Sequence, residues 1–97
     1  MFMTVLSGHV AEEEWLLLRH MFEKLCTKPP EGLVQTELVQ GIDDRSLWQV
    51  INLWTSQETY EAATRAQQTA ACEQMFCEAG SVPQSTHFRL VTRYQRV

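Results

Sequence analysis

The segment Leu47-Trp48-Gln49-Val50-Ile51-Asn52-Leu53-Trp54 is apolar on both of its alternating faces and runs straight into a helix start. Side chains of a strand alternate with a period of two. Trp48, Val50, Asn52 and Trp54 therefore share one face, and Leu47, Gln49, Ile51 and Leu53 share the other. Both faces of the strand thus read as buried. Its aromatic face also carries a side-chain amide, which marks it as the face able to hold a ligand. Thr55 and Glu58 then form T-x-x-E, a capping-box pattern that opens a helix.

The rest of the chain supplies the partners that such a strand needs. A first strand is expected over residues 2–10, followed by a helix over 11–26. In that helix Trp15, Leu18, Phe22 and Leu25 recur at helical spacing, with Leu17 and Met21 beside them. Glu12, Glu13 and Glu14 suit the positive end of the helix dipole, and Pro29, Pro30 and Gly32 stop it. A second strand, 33–41, is joined to the third through "IDDRS", a turn that makes an antiparallel hairpin. The second helix is Ala-rich, continues to Met75 and Phe76 and ends at Gly80, with Gln67, Gln68 and Thr69 as a bend. After "SVPQST" a last strand runs over 87–97. The order β–α–β–β–α–β predicts one α+β domain over residues 1–97, a ferredoxin-like four-stranded antiparallel sheet with both helices on one face.

Two helices leave the second face of the sheet bare, and this sheet is apolar on both. A wet face would exceed the few hundred Å² of apolar patch that monomers usually tolerate. The expected cover is a second copy packed sheet to sheet, giving a homodimer and a dimeric α+β barrel. Trp48 is then most simply an interface or edge-packing residue, and a ligand cavity lies between sheet and helices or between the two sheets.

The 97 residues carry a net charge of −4 and no dense Lys/Arg cluster, so neither a nucleic acid nor an anionic membrane surface is an expected partner. No apolar run reaches the roughly 20 residues of a membrane helix, and "MFMTVLSGHVAEEEW" has no basic leader. The three cysteines, Cys26, Cys72 and Cys77, cannot all pair within one chain and match no zinc spacing. They read as free thiols of a cytoplasmic protein. His9, His20 and His87 are not at metal-ligand spacing, so no metal site is expected. His9 and His87 end and begin strands, where either could act as a base at a pocket mouth.

With these elements placed, "PPEGLVQTEL" and "DDRSLWQVINLWTSQETYEAA" make the chain resemble the antibiotic biosynthesis monooxygenase domain family, dimeric α+β barrels, over nearly its whole length. The resemblance implies oxidation of a small aromatic or polyketide-like phenol by molecular oxygen, with no flavin, metal or other cofactor. Trp54 matches the family's strand-terminal tryptophan, and Tyr60 the tyrosine that quinone-forming members place over their substrate. Those members have an asparagine where this chain has Val50, so Asn52 stands as the replacement amide. The expected catalytic set is Asn52, Trp54 and Tyr60, with Trp48, Val50 and His87 as substrate contacts. Each also has a packing reading: Trp54 and Tyr60 as core aromatics, Asn52 as a residue bonded to nearby backbone. The haem-degrading branch uses a helix-two histidine and a second tryptophan, where this chain has Glu73 and Ala63. A non-catalytic ligand-binding or regulatory member, or an isomerase or lyase of the same barrel using a histidine base, are the alternatives.

Overall fold

The computed structural model describes residues 1–96. Its elements are β1 (Phe2–His9), a 3-10 turn (Glu12–Glu14), α1 (Trp15–Leu25), β2 (Leu33–Gln40), β3 (Leu47–Trp54), α2 (Gln57–Arg65), α3 (Ala70–Glu78) and β4 (Gln84–Arg89). They form one four-stranded antiparallel sheet in the order β2-β3-β1-β4, the ferredoxin-like arrangement read from the sequence. The apolar strand β3 is central, between β2 and β1.

The helices lie on its tryptophan face. Trp48, Val50 and Trp54 are buried with Leu6 and Phe2 of β1, and with Leu18, Met75 and Phe76 of the helices, in two adjoining clusters. Trp48, expected at an interface between copies or packed at an edge, is instead a core residue, 6% exposed, edge to face with Trp15 at 5.9 Å. The face left uncovered is the aliphatic one, carrying Met3 and Val5 of β1, Leu47 and Ile51 of β3 and Phe88 of β4. The physical reason is volume. Two indoles fill the wide gap between a sheet and helices better than they fill a flat sheet face. Leu17 of α1, expected beside the core stripe, is 42% exposed.

The second helical segment is split where a bend was expected. Gln67 has φ 61, its N–H bonds to Thr64 O at 3.0 Å, and Gln68 N–H bonds to Ala63 O at 2.9 Å. This is a Schellman stop with glutamine in the left-handed position that glycine usually takes. The stop of α3 has the same pair of bonds, Gly80 N–H to Cys77 O and Ser81 N–H to Phe76 O, with the glycine that such a turn favours. The capping box of α2 is shifted by one residue from T-x-x-E to Ser56 and Thr59. Thr55 is still held to the sheet side, its N–H bonded to Gly32 O at 2.9 Å, so the helix begins one residue later.

β4 starts three residues earlier than expected and stops at Arg89. Among the described residues its neighbour in the sheet is β1, and a further bond runs from Leu90 N–H to Met1 O at 3.0 Å. Residues 90–96 have no further backbone of β1 to pair with; Val97 lies outside the described residues. In the hairpin loop Asp44 accepts from the Ser46 hydroxyl at 2.7 Å and the Ser46 N–H at 3.1 Å, with His9 Nε2 at 3.2 Å. The Ser46 bonds first, then His9, hold its carboxyl below the usual value. Its contribution to stability is present above the ordinary carboxylate range near pH ~3.9 and fades as pH falls through the lower folded value.

Gly8 lies on the helix side opposite Trp48, where an added Cβ would meet Ser81 Oγ at 2.5 Å and Phe76 at 2.8 Å. Gly8→Ala is expected to cost about 1–3 kcal/mol through overpacking, read as a lower urea midpoint at unchanged slope.

Candidate functional site

A cavity of about 570 Å³ lies between the helix-covered face of the sheet and the helices. Its floor is sheet: Thr4 of β1, Asn52 and Trp54 of β3 and Thr36 of β2. Its roof comes from the end of α1, from Tyr60 of α2 and from the break between α2 and α3. The split at Gln67 therefore has a consequence for the site. It stops α2 short and turns Gln67, Gln68 and Thr69 toward the cavity, where an unbroken helix would present Ala-rich packing.

Register builds the polar part of the floor. Asn52 is paired with Thr36 on one side and with Thr4 on the other, and Thr4 is paired with His87 of β4. Thr36, Asn52, Thr4 and His87 thus form one row across all four strands on the helix side, since directly paired residues project to the same face. Trp54 and Gln49 make the side-chain bonds of β3, Trp54 Nε1 donating to Thr4 Oγ1 at 3.3 Å and Gln49 Nε2 to Ser7 Oγ at 2.8 Å. Among the described residues the Asn52 amide makes no such bond, and it is half-buried at the cavity. It has two donors and an acceptor to offer a ligand.

Trp54 is 2% exposed and packs edge to face with Tyr60, ring centroids 5.3 Å apart. Its N–H is used by Thr4, so toward a ligand it supplies ring surface and not a donor. Tyr60 turns its hydroxyl to His87 Nε2 at 3.3 Å, with the two rings 5.1 Å apart at 72°.

The structure brings Asn52, Trp54 and Tyr60 to one cavity. It does not bring the other three expected residues there. Trp48 and Val50 lie in the core beyond the cavity wall, and His87 lines a separate, smaller cleft with Phe2, Gln57 and Arg89. Thr4 and Thr36 were missed because only the register places them beside Asn52. The Gln-Gln-Thr interruption of an apolar helix was a readable signal for the roof.

Two charges border the cavity, Lys28 and Glu73, together with two thiols, Cys26 and Cys72. Burial, then the charge of Cys26, pushes the Cys72 thiol up, while Cys26 and Cys77 are exposed. Iodoacetamide near pH ~8 is expected to modify Cys26 and Cys77 at least about tenfold faster than Cys72, because the thiolate is the nucleophile. Peptide mass mapping over time measures the order. Among the described residues no cluster of three His, Cys, Asp or Glu could hold a metal ion, and no helix is long and apolar enough to cross a membrane.

No family model and no curated protein sequence matches the chain. Solved structures do match it. A proposed antibiotic biosynthesis monooxygenase from Deinococcus radiodurans superposes with a TM-score of 0.76 at 10% identity, over 100% of this chain and 99% of that one. Another from Nitrosomonas europaea gives 0.71 at 9% identity, over 95% and 100%. The haem degrader MhuD from Mycobacterium tuberculosis, solved with two haems in its active site, gives 0.76 at 14% identity, over 98% and 100%. Across its full length, then, the chain has the ferredoxin-like α+β fold of the antibiotic biosynthesis monooxygenase domain proteins.

Proposed function

We propose that the chain is a cofactor-independent monooxygenase that oxidises a small, flat, electron-rich phenol or anthrone with molecular oxygen. One observation carries the reading: Asn52, Trp54 and Tyr60, from sheet and helix, wall a single cavity of about 570 Å³. That is a volume suited to a small organic ligand. Trp54 supplies apolar ring surface for the substrate. The free Asn52 amide donates to the oxygen on which negative charge develops, the role of a preorganised donor in a water-poor site. An enolate or phenolate so held is electron-rich enough to reduce oxygen itself. In an anthrone, CH2 and O2 become C=O and H2O, so one oxygen atom enters the product and the other leaves as water.

Haem breakdown, the activity of one structural neighbour, does not fit these residues. Among the described residues no histidine lines the cavity, the positions resembling the haem branch's ligand and tryptophan hold Glu73 and Ala63, and burial pushes the Cys72 thiol up, keeping it neutral. A thiol in that state is a poor iron ligand.

The same reading puts a second copy on the open face of the sheet, where Met3, Val5, Leu47, Ile51 and Phe88 have no helix over them among the described residues.

Val50 is fully buried where quinone-forming relatives have asparagine, and it favours one alternative, a ligand-binding protein without turnover. An oxygen electrode with anthrone and hydroquinone substrates separates the two. Monooxygenase activity predicts uptake well above the protein-free rate. Ring binding with uptake no faster than that rate would leave only the binding protein, and product formed without oxygen would point to an isomerase or lyase.

A further inference from the structure

Tyr60 and His87 touch each other from opposite sides of a wall. Tyr60 lines the large cavity, and His87 lines the smaller cleft of about 430 Å³ with Phe2, Gln57 and Arg89. The Tyr60 hydroxyl lies 3.3 Å from His87 Nε2, with the Phe2 ring 5.4 Å from Tyr60 and 5.6 Å from His87, and Ser85 also lines the large cavity. Ser85 Oγ is the second group near the same nitrogen, also at 3.3 Å.

We propose that His87 is a positioning residue that takes up, through the Tyr60 hydroxyl, the proton a phenolic ligand loses in the cavity, and so couples anion binding to its own charge. The proposal rests on the reading of the cavity as a phenol site.

The argument follows from what each group can donate. A tyrosine hydroxyl has one proton and two lone pairs, and an imidazole nitrogen is either bare or protonated. With Nε2 bare, the Tyr60 proton points to His87, and only lone pairs face the cavity to receive a ligand O–H. With Nε2 protonated, it donates to the Tyr60 oxygen and the Tyr60 proton is free to donate to a ligand anion. The neutral pair therefore matches a phenol, and the imidazolium pair matches a phenolate. The two states differ by one concerted shift: the phenol O–H breaks and its proton joins Tyr60 oxygen, while the Tyr60 proton joins His87 Nε2. Net charge is unchanged. The ligand becomes an anion and His87 a cation, which stays beside the solvent-filled cleft for as long as the anion is bound.

Imidazoles titrate near neutrality, which suits one to this exchange. The groups facing His87 are Thr4 and Phe2 from β1, Ser85 and Arg89 from its own strand, and Tyr60 from α2. Arg89 is the other cationic side chain of the cleft, and no carboxylate among its described lining residues competes for the imidazolium.

The test uses the whole protein and unsubstituted 1-naphthol, which is un-ionised in water at the working pH and whose anion absorbs at longer wavelength. At pH ~8, where an ordinary imidazole is neutral, nitrogen NMR of the histidines is recorded with and without saturating probe. Expected in the wild type is conversion of the His87 Nε2 signal from the bare to the protonated type as the anion binds, with His9 and His20 unmoved. In Tyr60→Phe the conversion disappears at probe concentrations that still saturate the absorbance change. If the anion binds to the wild type and His87 stays neutral, the relay is overturned and the phenol site stands. If the probe does not bind, the phenol site falls and the relay with it.

Discussion

Replacing Asn52 by alanine is expected to lower substrate-dependent oxygen uptake on the order of 100-fold, the usual consequence of removing one donor to a developing oxyanion. Stability should hardly change, because among the described residues the amide has no bond to the protein that its loss would break, and the side chain is only half-buried. That separation is what makes the variant informative. An asparagine kept for structure would hold neighbouring backbone, and its removal would leave a buried partner unsatisfied at about 1–3 kcal/mol. Urea unfolding and oxygen uptake on the same preparation read the two quantities. A large fall in stability with uptake unchanged per folded molecule would return Asn52 to a packing role. Asn52→Asp adds a second check: a carboxylate is acceptor-only, so it should lose as much activity as alanine.

The second large effect concerns the open face. Ile51 sits on the uncovered side of the central strand, paired with Val5 on β1 and Glu37 on β2. If a second copy packs there, Ile51→Glu sets a second carboxylate beside that of Glu37 in the middle of the contact. Such a charge is expected to weaken association by about 3 kcal/mol, or roughly 100-fold in Kd. Light scattering after size exclusion should then show the wild type at twice 11.2 kDa and the variant at 11.2 kDa at micromolar concentration. The monomer should remain folded, since Ile51 is not part of either core cluster. A wild type that already runs as a monomer would remove the second copy from the account. The cavity would stay, because its walls come from one chain.

The fold was readable because each boundary carried its own chemistry. Pro29 and Pro30 end α1, the Asp44–Ser46 turn fixes the hairpin, and Gly80 ends α3. Which face of the sheet the helices would choose was not readable from alternation alone. Both faces of 47–54 are apolar, and the choice depends on how two tryptophans fill a gap three dimensions away from their own strand. The one-residue error at the helix start has a similar origin, since the bond from Thr55 to Gly32 is a tertiary contact between residues 23 apart.

The site was legible in part for the same reason. Asn52, Trp54 and Tyr60 stand close in sequence, so strand and helix periods suffice to bring them together. Val50 and Trp48 share their face but lie one and three pleats farther along from Asn52 and Trp54, and the helices close over them. His87 arrives from the other end of the chain, and only the pairing of β4 with β1 shows it to be Tyr60's partner and not a cavity wall.

The central claim is that a flat ring binds beside Trp54, and tryptophan fluorescence tests it most directly. Trp15 and Trp48 lie outside the cavity and Trp54 lines it. Titration of the wild type with an anthrone under argon should quench a saturable part of the emission, and that part should vanish in Trp54→Phe while the emission of the other two indoles stays unquenched. Equal saturable quenching in the two proteins would place the ring elsewhere and contradict the account.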